Sequence, residues 1–143
     1  MVIGTGVDIA EVARLERALS GPAGPRVRDR LFTASEQSYC EARGRGRIES
    51  YTARFAAKEA TLKVLGTGPG SAAGWTEIEV LRDADGPPRL ILHGAAARTA
   101  RARGVERLVL SLSHAGGLAV AFVVGEGGVP VSGAVDRVGA GSR

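Results

Sequence analysis

Apolar and polar positions alternate over residues 1–9, with Ile3, Thr5, Val7 and Ile9 on one face and Gly4, Gly6 and Asp8 on the other. This period of two predicts a β-strand. Its glycines leave room for a helix or ligand to press against the face that carries Asp8. A helical period follows over about residues 10–20, with Val12, Leu15 and Leu19 inward and Arg14 and Arg17 outward, until Gly21-Pro22-Ala23-Gly24-Pro25 breaks it. Arg26, Arg28 and Arg30 then lie on a short basic helical turn, and Thr33 and Glu36 have the spacing of a capping box for a helix reaching about Arg43. Residues 49–65 are rich in Ala, Lys, Glu and Leu and end at Gly66, a good C-terminal cap. In this helix Tyr51, Phe55, Leu62 and Leu65 share a stripe, and Glu59 sits about 40° from Phe55. Ala53, Ala56, Ala57 and Ala60 add little bulk, so this is the helix expected against the glycine face of the first strand, bringing Asp8 and Glu59 together. Beyond it the pattern predicts strands over 75–82 and 89–92, a helix over 94–103, and a hairpin of 108–113 with 118–124.

Length bounds this to a single domain, and with 4% aromatics its core must be filled by small apolar side chains. No run of about 18 apolar residues occurs and no charged-then-apolar leader opens the chain, which predicts a cytoplasmic protein that does not enter a membrane. Cys40 is the sole cysteine, so it is expected to be a packing residue. The net charge of +4, 19 basic against 15 acidic residues, admits an acidic partner or a coding bias towards arginine. A nucleic-acid surface would need aromatics interleaved in a basic stripe, and Phe32, Tyr39, Tyr51 and Phe55 are too few and too core-like. Residues 125–143, rich in Gly and Val with Pro130, lack periodicity and read as a flexible tail after a domain of residues 1–124.

Two converging carboxylates repel, and each has a raised pKa unless a cation sits between them. A hard divalent ion such as Mg²⁺, held by one or two carboxylates with substrate phosphates and waters, meets that need. Lys58 and Lys63 flank the stripe, so an anion beside the cation would meet positive charge on both sides. The plainer alternatives are Asp8 as N-cap of the next helix and Glu59 in an i,i+4 surface pair with Lys63. Ser113 and His114 are adjacent on a strand and point to opposite faces, which argues against a nucleophile and its base. Gly66-Thr67-Gly68-Pro69-Gly70 follows a helix, so it is neither a dinucleotide nor a P-loop fingerprint.

A series of motifs stands in order along the chain: Gly6-Val7-Asp8-Ile9 with Arg14, Phe32-Thr33-x-x-Glu36, Arg54-Phe55-Ala56-Ala57-Lys58-Glu59-Ala60, Gly66-Thr67-Gly68, Ile78-Glu79-Val80 with Gly86-x-Pro88, and Ser111-Leu112-Ser113-His114. Over residues 3–124 this order resembles the holo-acyl-carrier-protein synthases, the small type of 4'-phosphopantetheinyl transferase. The resemblance implies an α+β fold with a small antiparallel sheet against a long central helix. It also implies transfer of the phosphopantetheine arm of coenzyme A to a serine of an acidic acyl carrier protein, of fatty-acid or polyketide type, with release of adenosine 3',5'-bisphosphate. Asp8 and Glu59 would hold Mg²⁺, and Asp8, Glu59 and Lys63 would be catalytic, Glu59 taking the serine proton directly or through a water. Coenzyme A would be bound by Arg54, Lys63, Gly66, Pro88, Ser113 and His114, and the carrier protein by Arg14 and Arg17. A homotrimer with sites between subunits is implied as well. No catalytic role is carried to Glu36, whose capping box suffices. Pro69, Ala53 and the tail depart from the family pattern, whereas intact Asp8, Glu59, Lys63 and His114 argue against an inactive member.

Overall fold

The computed structural model describes residues 1–68 and 74–128. Strand β1 (Val2–Glu11) runs two residues past its expected end because it stays paired with the last strand as far as Glu11↔Leu118. Glu11, not Asp8, therefore stands at the N-cap of α1 (Val12–Ser20), and the capping alternative for Asp8 falls away. Helices α2 (Gly24–Leu31) and α3 (Ala34–Glu41) follow, the latter opened by the expected capping box of Thr33 and Glu36. Then comes the central helix α4 (Arg47–Leu65), closed by Gly66 at φ +67°, whose N–H caps the carbonyls of Leu62 and Lys63. The residues from Trp75 to Glu77 form a 3₁₀ turn where alternation suggested a strand; β2 (Ile78–Arg82) begins after it and pairs antiparallel with β3 (Pro88–Leu92). Helix α5 (Gly94–Ala102) leads to β4 (Arg107–Ala115) and β5 (Leu118–Glu126), joined by Gly116-Gly117, both at positive φ as a tight two-residue hairpin turn requires.

The larger sheet has the order β1-β5-β4, all antiparallel, and α4 crosses its inner face. Gly6 is what permits this: a Cβ there would stand 2.0 Å from the carbonyl oxygen of Ala60. Ala56, Ala57, Ala60 and Val64 of α4 pack on Ala121 and Val123 of β5 and Val80 of β2. A second cluster joins Leu62 and Leu65 to Ile78 and to Ala96 and Ala100 of α5, and a third places Leu15, Phe32, Cys40 and Tyr51 between α4 and the three preceding helices. Helix α4 is thus buried around most of its circumference, and the fold is α+β as expected. Cys40 is a packing residue, its thiol pKa pushed up to about 12 by burial. The outer sheet face leaves Val7, Ile9, Val109, Leu118 and Phe122 exposed. Among the described residues no helix is long and apolar enough to cross a membrane. Gly125 and Glu126, expected to open the flexible tail, instead end β5, because they pair with both β1 and β4; Pro69 and residues 129–143 lie outside the described residues.

Candidate active site

One cleft opens between β1, α1 and α4, and both Asp8 and Glu59 line it with Arg14, Leu15, Leu31 and Phe55. Asp8 is there because the glycine face of β1 turns towards α4; Glu59 is there because it lies at the edge of α4's buried surface. Burial raises the Glu59 pKa first and the Asp8 charge raises it further, with Lys63 and Arg14 pulling the other way. The two carboxylates therefore share one electrostatic field. Lys63 Nζ donates to the Val7 carbonyl at 2.7 Å and to Asp8 Oδ1 at 3.3 Å, so it serves β1 rather than forming the surface pair with Glu59 that spacing allowed. Among the described residues no group of three or more His, Cys, Asp and Glu gathers in the manner of an all-protein metal cage. A pair of carboxylates beside open space suits Mg²⁺, which keeps waters and substrate oxygens in its shell.

Lys58 does not flank this cleft. Its side chain is completely buried and bonded to Glu36 at 2.6 Å, because residue 58 projects from α4 towards α3 and β2. The angle around the helix was legible in the sequence; the neighbour waiting there was not.

A second cleft lies beside α4 near the hairpin end of β4, lined by Tyr39, Arg43, Arg45, Ser50, Arg54, Arg82 and His114. Arg54 is about 140° around α4 from Glu59, which places it away from the carboxylates. It is 4% exposed, stacks on the Tyr39 ring at 4.1 Å from its centroid, and donates Nη1 to the Ser50 carbonyl at 3.4 Å. Its Nε has no partner. A buried guanidinium with an unused donor, in a cleft lined by three further arginines, has the chemistry that suits an anion. Arg43, Arg45 and Arg82 were not singled out by the sequence, because they come from a loop and a strand that only folding brings to one cleft.

The remaining candidates scatter in a single chain. Pro88 pairs across the β2–β3 ladder with Arg82, one of the cleft residues. Ser113 faces the outer side of the sheet, opposite in sense to His114. Gly66 caps α4 with Arg103 close by. Arg14 borders the carboxylate cleft, and Arg17 is exposed one turn further along α1.

The profile of the 4'-phosphopantetheinyl transferase superfamily matches residues 4–123. The chain is 47% identical over 132 residues to the holo-[acyl-carrier-protein] synthase of Anaeromyxobacter dehalogenans strain 2CP-1, covering 91% of this chain and all of the relative. The crystal structure of the Neisseria meningitidis holo-[acyl-carrier-protein] synthase superposes with a TM-score of 0.78 at 32% identity, over 88% of this chain and 99% of that one. A holo-(acyl-carrier-protein) synthase from Bacillus anthracis, solved in complex with coenzyme A (3',5'-ADP), gives 0.72 at 34% identity, over 90% and 99%. With its motifs, its fold and its relatives in agreement over nearly the whole length, this chain belongs to the 4'-phosphopantetheinyl transferase superfamily, among the holo-[acyl-carrier-protein] synthases.

Proposed function

We propose that the chain transfers the 4'-phosphopantetheine arm of coenzyme A to a serine hydroxyl of an acidic acyl carrier protein in the cytoplasm, with Asp8, Glu59 and Lys63 as its catalytic residues. The observation that carries this reading is the shared cleft of Asp8 and Glu59, whose charges couple. Asp8 and Glu59 would hold Mg²⁺, which supplies charge neutralisation at the pyrophosphate when bound. Serine Oγ forms the new bond to the β-phosphorus, the pyrophosphate P–O bond breaks, and adenosine 3',5'-bisphosphate leaves with the electron pair. Glu59, lining the cleft beside Asp8, would take the proton from the serine directly or through a water. Lys63, tethered to Val7 and Asp8, puts positive charge beside the phosphates as negative charge grows on the leaving group.

The arginine cleft binds the phosphates of coenzyme A through Arg54 and His114, with Arg43, Arg45 and Arg82 adding charge. Gly66, Pro88 and Ser113 complete the coenzyme A contacts only when a second copy is added, because within one chain they border neither cleft. The exposed apolar face of Val7, Ile9, Val109 and Phe122 is a surface of the kind that associates. A homotrimer built on it would let the arginine cleft of one copy face the carboxylate cleft of the next. Arg14, at the carboxylate cleft, and Arg17, exposed one turn further along α1, dock the acidic carrier protein.

The test is to incubate the protein with an apo carrier protein, coenzyme A and Mg²⁺ and read the mass of the carrier. Addition of the arm is expected, and Asp8→Ala or Glu59→Ala should cut the rate by at least about 100-fold with an unchanged circular dichroism spectrum. Full activity in either variant would overturn the assignment of the carboxylates.

A further inference from the structure

Among the described residues, one fully buried ion pair has no role in the mechanism above. The Lys58 and Glu36 side chains are both 0% exposed. Lys58 Nζ donates to Glu36 Oε1 at 2.6 Å, to the Ile78 carbonyl at 2.7 Å and to the Trp75 carbonyl at 3.1 Å, which uses all three of its N–H groups. Glu36 in turn accepts from the backbone N–H of Thr33 at 2.9 Å and of Val80 at 3.0 Å. The knot ties the start of α3, the middle of α4 and the chain entering β2. Burying two charges costs about as much as their attraction returns, and an apolar pair of the same volume would stabilise the fold about as well. What the ion pair has and an apolar pair lacks is direction.

Lys58 immediately precedes Glu59. On its opposite side α4 rests on Gly6, which allows close approach and contributes no side chain of its own, and the half-exposed Lys63 bonds to Val7 and Asp8 are the polar links to β1 there. Side-chain tips stand roughly 6 Å from a helix axis, so a roll of about 10° carries a carboxylate about 1 Å. Mg²⁺ demands oxygens near 2.0–2.1 Å in octahedral array, roughly speaking, and cannot follow such a shift.

We propose that the buried Lys58–Glu36 pair is a positioning device that fixes the roll of α4 and thereby holds the Glu59 carboxylate opposite Asp8 for metal binding. The inference rests on the reading of Asp8 and Glu59 as Mg²⁺ ligands. It is tested by calorimetric titration of Mg²⁺ into the full chain saturated with coenzyme A, together with transfer rates across Mg²⁺ concentration. Glu36→Asp keeps the charge but shortens its reach, Glu36→Gln keeps the shape but removes the charge, and Ile78→Val removes one buried methyl group beside the knot while leaving its backbone acceptor intact. Both Glu36 variants should need about 10–100-fold more Mg²⁺, as other supports of metal ligands do, and excess Mg²⁺ should restore their rates. Ile78→Val should bind Mg²⁺ as the wild type does. Should Glu36→Gln not fold, Glu36→Asp decides alone. The proposal is overturned if folded Glu36 variants bind Mg²⁺ like the wild type, or lose activity that Mg²⁺ does not restore. If Asp8→Ala titrates like the wild type, the ligand reading itself fails and takes this inference with it, so the two failures are distinct.

Discussion

Glu59 combines a carboxyl reluctant to ionise with a second carboxylate, Asp8, in the same cleft. Its folded-state pKa is raised, so without metal the folded state binds the Glu59 proton more tightly than the unfolded chain does. The stability this contributes is present below the unfolded pKa and lost as pH rises through the raised one. Metal must displace that proton, so Mg²⁺ affinity should climb with pH until Glu59 is ionised and then level off. Titrations in buffers of different ionisation enthalpy should show proton release on binding, and Glu59→Gln should abolish it. At this scale the sequence brought Asp8 and Glu59 together, since the glycines on the face of Asp8 and the alanines around Glu59 let strand and helix meet, and the structure places both carboxylates in one cleft. The sequence misplaced Lys58 because a helical angle says nothing about what occupies that direction.

Between β1 and α4 the spacing of whole elements depends on one missing side chain. Gly6→Ala would drive a Cβ to within 2.0 Å of the Ala60 carbonyl, and backbone atoms there have no room to yield. The expected cost is about 1–3 kcal/mol of stability by denaturant unfolding, with a larger loss of transfer activity because Asp8 rides on the displaced strand. A second joint links α2, α3 and α4: Glu41 accepts from Arg47 Nε at 2.6 Å, Tyr51 Oη at 2.8 Å and Arg28 Nη1 at 3.1 Å. Arg47 foremost, with help from Tyr51 and Arg28, holds the Glu41 carboxyl at about 2 against an ordinary 4.5. Its depressed folded pKa means the stabilisation is whole above 4.5 and fades as pH falls towards about 2. The melting-temperature gap between wild type and Glu41→Gln should narrow over that window. Partial exposure of the pair keeps the gap small. Element type was readable from periodicity, whereas this joint was not, because Arg28, Glu41 and Tyr51 share no period.

The whole molecule presents an apolar sheet face to solvent and splits its candidate ligands between two clefts on different sides of α4. Assembly would answer both facts at once. Phe122→Glu, at the middle of that face, should leave the monomer folded by circular dichroism, shift its mass in light scattering to that of one chain, and remove most transfer activity. Retention of a trimer by this variant would place the interface elsewhere. Alternation along β1 and β4 distinguished their two faces in the sequence, but only the packing of α4 shows which face the protein covers for itself.

By itself the sequence determined most of the elements, their order and the capping box, because these follow from short-range periodicity, backbone preference and residue type. Tertiary structure alone decided that Lys58 joins Glu36 in the core, that arginines from separate segments gather beside Arg54, and that Lys63 serves Asp8. Those outcomes depend on contacts between residues far apart in the chain, where the closest approach of two backbones, set at Gly6, governs what each side chain meets.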